Sequence, residues 1–197
     1  MYTDEEGEIA VRAARAVIEA FVRREPLPEI NFPPSFDKPA GAFTTINTYP
    51  GAMLRGCIGY PGPYFPLKEA IVRSAREATR DPRFYPLGEE ELDRVVIEVS
   101  ILTPPRLIEV KNPKEYLGKI KIGRDGLIIQ KGAYRGLLLP QVPVDERWDV
   151  ETFLNYTCIK AGLPEGCWKD KKTMVFAFTG EVFEEESPRG NVVRKRL

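Results

Sequence analysis

The hexapeptide Leu54-Arg55-Gly56-Cys57-Ile58-Gly59 sets one thiol between two glycines and two residues after an arginine. In an extended strand side chains alternate, so Arg55, Cys57 and Gly59 share one face while Leu54, Gly56, Ile58 and Tyr60 share the other. A guanidinium two strand positions (about 7 Å) from a cysteine favours the thiolate and lowers its pKa. Gly56 and Gly59 present no side chain to a ligand or a neighbouring backbone. The chemistry implied is a nucleophilic or redox thiol at Cys57, with Arg55 as an anion clamp. A structural alternative stands beside it. Unpaired cysteine packs as a small buried hydrophobe, Arg55 can be neutralised by a carboxylate such as Glu98, and the glycines can mark a bulge or a close-packed helix.

The chain contains no histidine, which excludes Ser-His-Asp and Cys-His catalysis and removes the commonest metal ligand. Three scattered cysteines, with no C-x-x-C pair, are a poor zinc set, so neither a metal nor another cofactor is expected. An odd cysteine count fits free thiols in a reducing compartment better than a disulfide framework. Cys158, on the apolar stripe of a helix, reads as packing, and Cys167 beside Trp168 as a loop-to-core anchor. With 29 basic and 29 acidic residues there is no global field to collect nucleic acid. Lys169, Lys171, Lys172, Arg194, Lys195 and Arg196 cluster locally, and with Glu184, Glu185 and Glu186 intervening they read as solvated, ion-paired surface.

Five more residues complete a candidate polar pocket: Thr44 on the strand expected beside the hexapeptide, Glu98 and Ser100 on the polar face of another, Arg83 after Pro82, and Gln141 after Pro140. Each has a plainer role as an ion-pair, turn or loop-satisfying residue.

The elements that must carry these residues follow from periodicity. Thr3 and Glu6 form a capping box before the stripe Ile9, Ala13, Ala16, Val17, Ala20, Phe21. A proline-rich connector over 26–39 is too apolar at Ile30, Phe32 and Phe36 to be free of the core. Strands over 41–49 and 54–60 join at Pro50-Gly51 as a hairpin. A helix over 66–80 stops before Pro82, and the alternation over 95–103 gives a strand with one polar face. Pro113 opens a short helix. Asp125-Gly126 reads as the tight turn of a hairpin over 121–131, with a further strand over 136–139. A helix over 149–161 ends at Gly162, a long strand covers 173–183, and 187–197 reads as a charged tail. Hairpin connections dominate, so the class is α+β with a largely antiparallel sheet and packed helices. No apolar run reaches about 18 residues, and the acidic start is unlike a signal peptide, so a cytoplasmic protein is expected. Few glutamines among many Glu, Lys, Arg and Pro give the composition a thermophile-like cast.

The hexapeptide and its companions resemble the AMMECR domain family. The companions are Gly41-Ala42-Phe43-Thr44, Asp81-Pro82-Arg83-Phe84, Val99-Ser100-Ile101-Leu102, Leu138-Leu139-Pro140-Gln141-Val142 and Trp148, in the family's order. The resemblance implies one α+β domain over 5–196 with two lobes of unequal size. It also implies Memo-type or radical-SAM-type proteins as prokaryotic partners. Two functions remain open. One is a binding or adaptor module for a protein, or for RNA, through a cleft around 54–59. The other is an enzyme or enzyme subunit using Cys57.

Overall fold

Thr3 opens the first helix as its sequence dictates. Its hydroxyl accepts the Glu6 N–H at 3.1 Å while the Glu6 carboxylate accepts the Thr3 N–H at 2.8 Å, starting α1 (Asp4–Arg23). The structure, a computed structural model, describes residues 2–195. They divide into two units, 2–102 with 181–195 and 103–180.

In the first unit β1 (Gly41–Thr48) lies between β2 (Leu54–Tyr60) and β3 (Val95–Leu102), antiparallel to both. One face of this sheet, through Ala42, Ile46, Ile97, Val99 and Ile101, packs on Ala10, Ala14 and Ile18 of α1 and on Ala70, Ile71 and Ala75 of α2 (Leu67–Ala78). Small residues on both helices let their backbones approach the sheet closely. Phe36, from the proline-rich connector, is fully buried in the same core, with Ile30 and Phe32 packed against it. All eight residues of β3 are buried, its polar face included.

A buried ion pair closes this unit. Arg15 donates to Glu185 through Nε at 3.1 Å and also through Nη2, and to the carbonyls of Leu92 at 3.1 Å and Val95 at 2.8 Å. Glu185 in turn accepts the Ile97 N–H at 3.1 Å. The pair thus joins the first helix to the last strands. Glu185 ends β7 (Met174–Glu185), which pairs with β8 (Val192–Lys195). The segment expected as a charged tail is a turn and a strand over its described part: the chain reverses at 187–190, where Glu186 N–H donates to Asn191 O at 2.9 Å, and continues as β8. Arg194 bonds Asp4 at 2.8 Å, and Arg196 lies outside the described residues.

In the second unit β5 (Asp125–Lys131) runs between β6 (Tyr134–Leu138) and the first part of β7, with β4 (Arg106–Leu107) along β7. Asp125-Gly126 is not a hairpin turn: it opens β5, opposite Thr179 and Phe178. The Asp125 carboxylate caps the preceding turn instead, accepting the Lys121 N–H at 2.8 Å, and the hairpin reverses at Gly132, whose φ of 59° suits glycine. The short helices are α3 (Tyr116–Lys119) and α4 (Val142–Asp145). Asp149 caps α5 (Val150–Lys160) by accepting the Thr152 N–H at 2.8 Å. Phe153, Leu154 and Cys158 of α5 face a core with Leu127, Ile129, Trp168 and Val175. The expectation of three free thiols fails here, because Cys158 is disulfide-bonded to Cys167. The bend at Gly162 and Gly166 brings the two together, and Asn155 holds that bend by accepting the Gly166 N–H at 3.0 Å and the Trp168 Nε1–H at 2.8 Å. The fold class is α+β. Among the described residues no helix is long and apolar enough to cross a membrane.

Candidate functional site

The hairpin register decides which side chains share a surface. Thr45 stands opposite Cys57 on β2 and opposite Glu98 on β3, and Phe43 opposite Gly59 and Ser100. Directly opposed residues project to the same face of a sheet. Cys57, Thr45 and Glu98 therefore form one row, and Gly59, Phe43 and Ser100 the next. Thr44, expected in this pocket, points the other way. It is fully buried under α2, its hydroxyl 2.8 Å from that of Ser74. Thr45 takes its place at the thiol, a one-residue shift that sequence alternation could not resolve without the register.

Cys57, the one free cysteine, is half-buried. Its Sγ accepts a hydrogen bond from Thr45 Oγ1 at 3.4 Å, and its backbone N–H donates to Asp81 Oδ2 at 2.9 Å. Burial pushes the thiol pKa above its ordinary value, overriding the Thr45 hydrogen bond and the nearby Arg83 cation; Glu98 and Asp81 push it up further. This is the reverse of the lowered pKa expected from Arg55.

Arg55 fails to act on the thiol because a bulge intervenes. Ile46 pairs with Gly56 and Asn47 with Leu54, so Arg55 has no partner in β1 and its side chain is re-aimed. Its Nε and Nη2 donate to the two oxygens of Glu91 at 2.7 and 2.9 Å, and Nη1 and Nη2 to the carbonyls of Tyr85 at 3.0 Å and Pro86 at 3.3 Å. The Glu91 carboxyl is held below its ordinary pKa by that pairing. Arg55 is a brace for the 85–91 segment, and its partner is Glu91 rather than Glu98. Glu98 instead accepts from Lys195 Nζ at 3.0 Å, and Lys195 also reaches Glu184 at 3.1 Å.

The cation beside Cys57 is Arg83, and Asp81 positions it. The Asp81 carboxylate, almost wholly buried, accepts four hydrogen bonds: from Cys57 N–H, from Arg83 N–H at 3.0 Å, and from Arg83 Nε at 3.0 Å and Nη2 at 2.6 Å. Those donors hold its pKa far below the usual carboxylate range. Arg83 Nη2 also donates to Cys57 O at 3.3 Å, yet 56% of its side chain is exposed. The Asp81-Pro82-Arg83-Phe84 segment thus clamps the hexapeptide backbone and presents one guanidinium outward.

Neither glycine opens the site. A Cβ at Gly56 would sit 2.4 Å from Ala78 O at the end of α2, and one at Gly59 would sit 2.3 Å from the Phe43 ring. Gly56 admits a helix end and Gly59 is roofed by an aromatic ring. Ser100 is buried in the Phe43 row. Gln141 belongs to the second unit, half-buried ahead of α4, where its carbonyl accepts the N–H groups of Val144 and Asp145 at 3.0 Å. Three residues of the basic cluster are ion-paired: Lys169 with Glu151 at 3.1 Å, Arg194 with Asp4 at 2.8 Å, and Lys195 with Glu98 at 3.0 Å and Glu184 at 3.1 Å. The site therefore offers a protonated thiol with a hydroxyl donor, and an oriented cation able to bind an anionic group.

The AMMECR1 family matches residues 11–183. A protein of Methanocaldococcus jannaschii is 54% identical over 100% of this chain and 98% of its own length. A protein of Pyrococcus horikoshii is 53% identical over 98% of this chain and 97% of its own. The crystal structure of an uncharacterized protein from Pyrococcus horikoshii covers 99% of this chain and 98% of its own, at 52% identity and a TM-score of 0.87. With a family match over residues 11–183 and relatives more than half identical along nearly the whole chain, this chain belongs to the AMMECR1 family.

Proposed function

We propose that the protein is a non-catalytic binding module that recognises an anionic group on a protein partner through Arg83, with Cys57 and Thr45 lining the contact. The observation that carries this reading is the Asp81–Arg83 pair: the guanidinium is fixed from behind at 2.6 Å while more than half of the side chain stays in solvent. A pre-ordered cation loses little freedom on binding. Against a catalytic thiol stand the raised pKa of Cys57 and the absence of histidine as a base. A Memo-type or radical-SAM-type protein, suggested by the resemblance, is the first partner to titrate. Arg83→Ala should weaken that complex by roughly tenfold, and Cys57→Ser by less than about threefold. No complex with either protein type, or the opposite ranking of the two variants, would overturn the reading. Binding of RNA with a steep salt slope would replace it.

One observation favours thiol chemistry as a second reading, the Thr45 hydroxyl donating to Sγ at 3.4 Å. Iodoacetamide distinguishes the two. The binding reading expects native Cys57 to be alkylated more slowly than free cysteine at pH 7, with the rate rising only above the ordinary thiol range. Faster alkylation than free cysteine at pH 7 would favour the enzyme.

A further inference from the structure

A second, unrelated set of cations stands beside an apolar groove on the helix side of the first unit. The groove has a volume of about 790 Å³, and Phe21, Ile58, Val72 and Pro82 provide its apolar lining. Arg76, in the last turn of α2, and Arg80, just beyond its end, both line it. Their guanidinium carbons lie 5.0 and 4.6 Å from the centroid of the same Phe21 ring. Cation–π contact positions a guanidinium without neutralising it. Among the described residues no carboxylate comes within 4.0 Å of either group. The two carboxylates in the lining are engaged elsewhere: Glu69 with Arg73 at 2.7 Å, and Glu77 with the Tyr60 hydroxyl at 2.8 Å. Two like charges held against one ring repel each other, and a shared anion relieves that repulsion. Two planar guanidiniums with their donor forks free match the oxygens of a phosphate, each able to donate twice.

We infer that this groove is a binding site for a small organic phosphate, its phosphoryl group held by Arg76 and Arg80 and its apolar body lying on Phe21, Ile58, Val72 and Pro82. The volume falls within the roughly 300–1,000 Å³ of small-ligand sites. A nucleic acid would need a basic stripe along the surface, whereas two unpaired arginines at one helix end are a point of attachment.

The test is isothermal titration of the intact protein, at constant ionic strength, with phenyl phosphate, inorganic phosphate and phenol. Phenyl phosphate should bind saturably, inorganic phosphate several-fold more weakly, and phenol without detectable heat. The double variant Arg76→Gln, Arg80→Gln should lose roughly tenfold or more in affinity for phenyl phosphate. Glu77→Gln, which removes a neighbouring negative charge, should tighten it by about twofold and keeps the test open should the double variant misfold. Saturable binding of neither phosphate would overturn the inference, as would unchanged affinity in a folded double variant or weaker affinity in Glu77→Gln. Equal affinity for the two phosphates would overturn the organic body and leave a site for free phosphate.

Discussion

Asp81 accepts four hydrogen bonds at the site, and its role was hidden at the level of sequence. The Asp81-Pro82-Arg83-Phe84 segment is visible as a motif, and Arg83 stands out as a candidate, but Asp81 reads as an ordinary turn residue. Its bond to the Cys57 N–H spans 24 positions, a distance no local pattern reports. Because its pKa is depressed in the folded state, the stability it contributes is fully present above the unfolded aspartate value of about 3.9 and is lost as pH falls toward the folded value. Asp81→Asn should destabilise the protein by about 1.5–3 kcal/mol at pH 7, the worth of charge-assisted hydrogen bonds lost at a buried acceptor. Urea melts at pH 7 and below pH 3 should show the gap between wild type and variant narrowing in acid. An equal gap at both would contradict the assignment.

The elements themselves were mostly written in periodicity and punctuation. The capping box at Thr3, the hairpin at Pro50-Gly51, the stripe of α2 and the alternation of β3 all form where residue spacing puts them. What was not legible is where an element yields to a neighbour. The bulge that turns Arg55 away from Cys57 depends on pairing between strands, and Asp125-Gly126 opens a strand because its carboxylate bonds backward to Lys121. Glycines separate the two kinds of information. Gly56→Ala should cost about 1–3 kcal/mol, because its Cβ would meet the Ala78 carbonyl at 2.4 Å and neither backbone can easily give way. Gly118→Ala, inside α3 with nothing within 4 Å, should be neutral or stabilise by up to about 1 kcal/mol. Thermal or urea melts of the pair check the contrast.

For the whole molecule, element order and hairpin connections gave the α+β class and the hexapeptide with its companion segments gave the family resemblance, while the disulfide and the long-range ion pair lay outside sequence reasoning. The Cys158–Cys167 bond was missed because an odd count argues against a framework, although one pair and one free thiol satisfy it equally well. Reduction, or Cys158→Ser with Cys167→Ser, should lower stability by about 2–3 kcal/mol for so short a loop, read as a shift in the urea midpoint with and without reductant. Arg15 and Glu185 likewise look like surface charges in the sequence, yet they meet across 170 positions. That ion pair has a consequence for synthesis. A nascent chain can complete its 103–180 unit as soon as that one uninterrupted segment has left the ribosome, while helix α1, made far earlier, waits for a carboxylate that follows that segment in the chain. Chains truncated just short of Glu185 and released from the ribosome should therefore resist protease within 103–180 and be cut within 2–102.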